Sequence, residues 1–234
     1  MPSFILPILK KSLFFAINIW AEVLMNVNSK KIKTHFLYSS WIYILIIILS
    51  IMFWDIIYAM TEYRPPEDKV VELYVADNPI FDDQKFETVR AKIAETILKD
   101  MEEVNAFKLY ATGSDDIAGN MQINTYIMSG QGDVYIMGKE RFQTYATGGA
   151  FLPLDTYIEK GSINKENYDY KRGLATYIDN DDQKYTAVYG ISLKNTPSLK
   201  KYGIDTDNSF IAILYSSGND INSVKMLNYI INME

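Results

Sequence analysis

The hydrophobic pattern of the chain changes period twice, and each change marks a different kind of segment. From Phe36 to Trp54, "FLYSSWIYILIIILSIMFW", nineteen residues carry no charge. At the helical rise such a run reaches ~28 Å, the depth of a bilayer core. It predicts a transmembrane helix over residues 36–60. Before it, Leu13, Ala16, Ile17, Trp20, Val23 and Leu24 recur at helical spacing, with Lys11, Asn18, Glu22 and Asn26 opposite. This predicts an amphipathic helix over residues 4 to 26, which either lies in the membrane surface or packs on a partner helix.

After the span the pattern shortens. "TEYRPPEDK", Thr61 to Lys69, is charged, and Pro65 and Pro66 stiffen it, so residues 61–69 form a linker. "VVELYVA", Val70 to Ala76, reads as a buried strand ending in a turn at Asp77, Asn78 and Pro79. Phe86, Val89, Ile93, Ile97 and Met101 then predict a helix from Asp83 to Glu103. "AFKLYAT", Ala106 to Thr112, alternates like a strand; Gly113, Ser114 and Asp115 supply a turn and N-cap candidates for a helix to Met128. "DVYIM" follows as a third strand, with a helix over Lys139–Thr147 stopped by glycine. Leu174 to Ile178 and Tyr185 to Leu193 suggest a hairpin across "DNDDQK", and "SFIAILYS" a final strand before a helix marked by Ile221, Val224, Leu227 and Ile231. Alternating strands and helices imply an α/β fold, one three-layer lobe with a mainly parallel sheet over residues 70–234, because crossovers place helices on both faces.

Charge orients the span. Lys10, Lys11, Lys30, Lys31 and Lys33 precede it against one acid, Glu22, whereas acids predominate just beyond it. The positive-inside rule then puts residues 1–35 in the cytoplasm and the C-terminal domain outside the cell membrane, in a single-pass arrangement. The apolar run is too long and too far in for a cleaved signal peptide, so it reads as a retained anchor. Asp55 lies at the outer end of the run and reads as an interfacial carboxylate.

The chemistry is sparse. The chain has no cysteine, which excludes disulfides and thiolate chemistry, and its one histidine, His35, lies beside the span on the cytoplasmic side. Residues 62 to 234 hold 18 Lys plus Arg against 27 Asp plus Glu, a net of −9 that argues against nucleic acid as a partner. Asp179, Asp181 and Asp182 invite a calcium loop, but Lys184 and Gly190 stand where its Gly and Glu belong, so a solvated turn is the better reading. "GQGD", Gly130 to Asp133, precedes a strand instead of following one, the wrong order for a phosphate loop. No serine or threonine has a recognisable base, and no carboxylate pair stands out. The domain reads as non-enzymatic, and no cofactor is called for.

The phrases from Met121 to Asp155, "MQINTYIMSGQGDVYIMGKERFQTYATGGAFLPLD", resemble those of extracellular solute-binding proteins of bacterial ABC importers. Gly132, Asp133 and Val134 match a helix-stop and strand-start phrase, and Gly149, Phe151, Leu152, Pro153, Leu154 and Asp155 a closing one. "YGISL", Tyr189 to Leu193, and the Ser209–Ile230 stretch resemble later strands of that family, with Ser217 to Asp220 as the short turn. The resemblance implies a lobe of the periplasmic-binding-protein type. A full member has two lobes that close on a ligand, but about 50 residues separate Asp155 from Ser209, too few for a second lobe. One lobe covers one side of a small ligand, whereas tight sites bury most of it.

The expected function is therefore a membrane-anchored binding or interaction module. Its partners would be membrane lipids through the two N-terminal helices, and a membrane protein, peptide or carbohydrate through the outer domain. The alternatives are an accessory subunit of a transport or envelope complex, and an envelope carbohydrate-active enzyme. In a parallel sheet the exposed crevice lies at the carboxyl ends of the strands. That makes Asp77, Asn78, Thr112, Gly113, Ser114, Asp115, Gly138 and Lys139 the candidate contact residues, all of which also suit ordinary turn and N-cap chemistry.

Overall fold

The structure is a computed structural model that describes residues 29–111, 116–164 and 168–233. The helix expected over 4 to 26 lies outside the described residues. Two compact units divide at residue 64.

In the first unit, helix α1 spans Ser29–Thr61. Within it Ser39–Thr61, 23 residues of mean hydropathy 2.3, is long and apolar enough to cross a membrane by length and composition. The helix starts before the expected residue 36 because "SKKIKTH" contains neither Gly nor Pro to break it.

The second unit alternates strands and helices as β1 (Val70–Val75), α2 (Asp83–Thr96), β2 (Glu103–Lys108), α3 (Ile117–Met128), β3 (Val134–Gly138) and α4 (Lys139–Thr147). A short α5 (Asp155–Glu159) leads to β4 (Leu174–Ile178), β5 (Lys184–Val188), β6 (Gly190–Ser192), β7 (Ser209–Ile213) and α6 (Asp220–Ile231). The main sheet has the order β2-β1-β3-β7-β6. β1 pairs in parallel with β2 and β3, while β7 runs antiparallel to both β3 and β6. Four strands thus share one direction and β7 opposes them, so the sheet is mainly parallel, as the alternation predicts.

Both faces of the sheet are buried, which explains the near-continuous apolar runs. Side chains of alternate residues go to opposite faces. Val71, Leu73, Val75, Val134, Ile136, Ile211 and Ile213 join a core with Phe86, Val89 and Ile93 of α2 and Val224, Leu227 and Ile231 of α6. Tyr74, Tyr135, Met137, Phe210 and Ala212 join the other with Ile123 of α3 and Phe142 and Ala146 of α4. The unit is therefore three layers deep.

Two boundaries differ from the pattern. α2 ends at Thr96 instead of Glu103, and β2 begins at Glu103 instead of Ala106. Pairing with β1, which sets Val70 opposite Glu103, recruits residues whose own alternation is weak. The expected strand Tyr185–Leu193 is divided at Tyr189: β5 pairs with β4 in a separate hairpin, and β6 pairs with β7. Gly190 permits that switch, since a Cβ on it would lie 2.5 Å from the Phe142 ring. In the hairpin turn, the Asp179 carboxylate accepts from the amides of Asp181 and Gln183, both at 2.9 Å. That acid serves its own backbone.

Candidate functional site at the strand ends

At the carboxyl end of β1 the chain turns sharply. Asp77 sits at φ +56°, in the left-handed region that Asp tolerates better than most residues. The turn sends its carboxylate across to β3 and α4. Oδ2 accepts from the Gly138 amide at 3.1 Å and from Arg141 Nε at 2.9 Å, and Oδ1 accepts from Arg141 Nη2 at 3.0 Å. The pair is bidentate, the geometry a planar guanidinium favours. Arg141 is 6% exposed, and its Nη1 donates to Asn120 Oδ1 on α3. Burial works to lower the guanidinium pKa, but the Asp77 hydrogen bonds and charge prevail and raise it.

Asn78 is also committed inward. Its Nδ2 donates to the Ala76 carbonyl at 2.7 Å, and its Oδ1 accepts from the Asp205 amide at 2.7 Å. It ties the end of β1 to the segment leading into β7. Gly138 is the N-cap of α4 and donates its amide to Asp77. Lys139 is exposed, and its amide donates to the Asn208 carbonyl. The structure thus brings Asp77, Asn78, Gly138 and Lys139 to one edge. Thr112, Gly113, Ser114 and Asp115 lie outside the described residues.

The open part of that edge is a hollow of about 270 Å³ lined by Asn120, Asn124, Arg141, Thr144 and Tyr145. Tyr145 donates its hydroxyl to Asn124 Oδ1 at 2.7 Å. Burial raises the Tyr145 pKa, with the Arg141 charge opposing, so the phenol stays a neutral donor. The residues lining the hollow present amides, hydroxyls and a guanidinium paired with Asp77. Such a surface suits an uncharged, hydrogen-bonding ligand. Arg141, which bonds Asp77, joins this hollow to the residues the strand-end rule selects. Asn120 and Asn124, like Arg141 and Tyr145, are four residues apart, so each pair shares one helix face; that spacing was the available signal.

The opposite edge explains the Gly132-Asp133-Val134 phrase. Asp133 Oδ2 accepts from the Glu72 amide at 2.8 Å, and the Asp133 amide donates to the Glu72 carbonyl at 3.0 Å. Its carboxylate also bonds the Ser217 side chain. Burial outweighs these bonds and pushes its pKa up to about 6. Asp155 plays a similar part: its Oδ2 accepts from the Val188 amide at 2.9 Å and fastens the hairpin. The phrases that carry the family resemblance are thus fastenings of the sheet.

No family model matches the chain, and no curated protein matches it. Sixteen chains of known structure match. One is an extracellular solute-binding protein family 1 member from Alicyclobacillus acidocaldarius, at 17% identity and TM-score 0.37, covering 56% of this chain and 29% of that one. Another is the ABC substrate-binding protein Lmo0181 from Listeria monocytogenes, in complex with cycloalternan, at 22% identity and TM-score 0.32, covering 52% and 28%. A third is the PBP AttC of Agrobacterium tumefaciens C58 in an open unliganded conformation, at 9% identity and TM-score 0.40, covering 70% and 79%. The chain spans less than a third of the first two structures.

Proposed function

We propose that the protein is a membrane-anchored, non-catalytic binding module that contacts an uncharged, hydroxyl-rich partner, a glycan chain, through its strand-end hollow. The observation that carries this reading is the hollow itself: Asn120, Asn124, Thr144 and Tyr145 around an arginine whose charge Asp77 already balances. Its volume of about 270 Å³ is below the ~300–1,000 Å³ of a site that encloses a small molecule. One sugar unit of a longer chain fits such an open recess better than a free solute does. The outer placement rests on the lysines before Phe36 and the acids after Trp54.

Two measurements test it. The full chain in nanodiscs, titrated with soluble envelope glycan fragments, should show saturable binding that Asn124→Ala weakens at least tenfold with no change in unfolding midpoint. Binding unaffected by that change removes the hollow from the function. Protease added to intact cells should digest residues 62 to 234; their survival reverses the orientation.

A second reading, an accessory subunit, draws on Ile117 and Met121, one helical turn apart on α3 and 76% and 66% exposed. Cross-linking through this face should then retrieve one membrane protein, and retrieval of lipid alone counts against it.

A further inference from the structure

A second cavity lies away from the strand ends. A groove of about 660 Å³ lies between α2, the 3-10 turn Pro197–Tyr202 and the C-terminal half of α6. Three of its lining residues are lysines, Lys92, Lys201 and Lys225, and none is an acid. In an outer segment with a net charge of −9, that local excess runs against composition. None of the three has a carboxylate within salt-bridge distance among the described residues, whose ion pairs involve Lys85, Arg90, Arg141 and Lys200 instead. Lys201 Nζ sits 5.1 Å over the Tyr202 ring, and Lys225 Nζ has a long 3.4 Å contact to Asn222 Oδ1.

The groove also holds two phenols without a hydrogen-bond partner. Neither Tyr202 nor Tyr229, which line it, has its hydroxyl hydrogen-bonded within the described structure. Three lysines and two tyrosines thus line a space to which no acid contributes. Val89, Ile97 and Met233 add an apolar lining.

We infer that this groove is a binding site for an organic phosphate. Several lysines along one groove call for more than a single carboxylate charge, and lysine serves phosphate as a point charge without demanding bidentate geometry. The tyrosine faces and the apolar residues accommodate the carbon body of such an ester. The site is separate from the strand-end hollow, and neither depends on the other.

The test is calorimetric titration of the full chain in phosphatidylcholine nanodiscs with glycerol 3-phosphate, glucose 6-phosphate and inorganic phosphate, with glycerol and glucose as uncharged controls. At least one phosphate ester should bind saturably and more tightly than inorganic phosphate, and neither control should bind. Lys92→Gln with Lys201→Gln should weaken that binding at least tenfold. Lys184→Gln, on the distant hairpin, should leave it unchanged. Tyr229→Phe removes one donor from a folded groove and should weaken it a few-fold, so the site stays testable if the double variant unfolds. Absence of saturable binding with all three probes, equal loss in the groove and hairpin variants, or no effect of either groove variant overturns the assignment.

Discussion

Replacing Asp133 with Asn should flatten the dependence of stability on pH, and the structure supplies the size of the effect. Asp133 is 7% exposed, and burial raises its pKa from an ordinary 3.8 to about 6 despite bonds from the Glu72 amide and Ser217. A carboxyl whose folded pKa is raised favours folding while it is protonated. Its contribution is therefore fully present below about pH 4 and is lost as pH rises through about 6. The gap is worth about 3 kcal/mol at ~1.4 kcal/mol per pH unit. Glu72 is raised as well, chiefly by burial, and acts in the same direction. Exposed acids held low, such as Asp82 beside Lys85 and Asp207 beside Lys200, oppose it, so the difference between the two proteins is the informative quantity. Asn at 133 retains an acceptor for the Glu72 amide and cannot ionise. Urea unfolding should be followed between pH 4 and 8 by the near-ultraviolet tyrosine signal, because Trp20, Trp41 and Trp54 all precede the second unit. Asp133→Asn should gain on the natural protein by about 2 kcal/mol between pH 4 and 7. A constant difference, or one of opposite sign, refutes a buried carboxyl at this position.

Three further outcomes follow from burial and backbone geometry. Arg141→Met should cost about 3–5 kcal/mol in urea unfolding, because it strands the Asp77 carboxylate, only 12% exposed, without its partner. Thr206→Val should be neutral or stabilise by about 1 kcal/mol, since Thr206 Oγ1 is buried without a hydrogen-bond partner; a loss above that would reveal a bond to the hydroxyl. Gly132→Ala should lower the thermal midpoint, at a cost of about 1–3 kcal/mol, because Gly132 has φ +80° and a Cβ there would fall 2.3 Å from the Tyr74 ring.

The layers of the second unit were legible because they depend on periodicity alone. "VVELYV" and "SFIAI" are too apolar for a sheet with one wet face, and the structure buries both of their faces. The position of β2 was less legible. "EVNAFK" has little apolar content of its own, and it becomes a strand through its pairing with β1. The division at Tyr189 was hidden for a similar reason: "YTAVYGISL" is one uniform pattern, and its break is set by how closely Phe142 and Gly173 approach Gly190. Contacts between distant segments leave no local period to read.

The strand-end rule locates an edge from topology, but it cannot tell residues that hold the edge together from residues that remain open on it. Asp77 and Asn78 were the chemically richest residues the rule could select. Both fill their hydrogen-bonding capacity largely within the fold: Asp77 on Gly138 and Arg141, Asn78 on Ala76 and Asp205. The groups left facing the recess come instead from the helices beside it, Asn124 from α3 and Thr144 and Tyr145 from α4. This division has a physical basis. The first residues beyond a strand must satisfy backbone amides that the ladder no longer pairs, whereas a helix satisfies its own backbone and leaves its side chains available. In this lobe, a search for contact residues should therefore begin one turn into the flanking helices, where spacing by four brings polar side chains onto a common face.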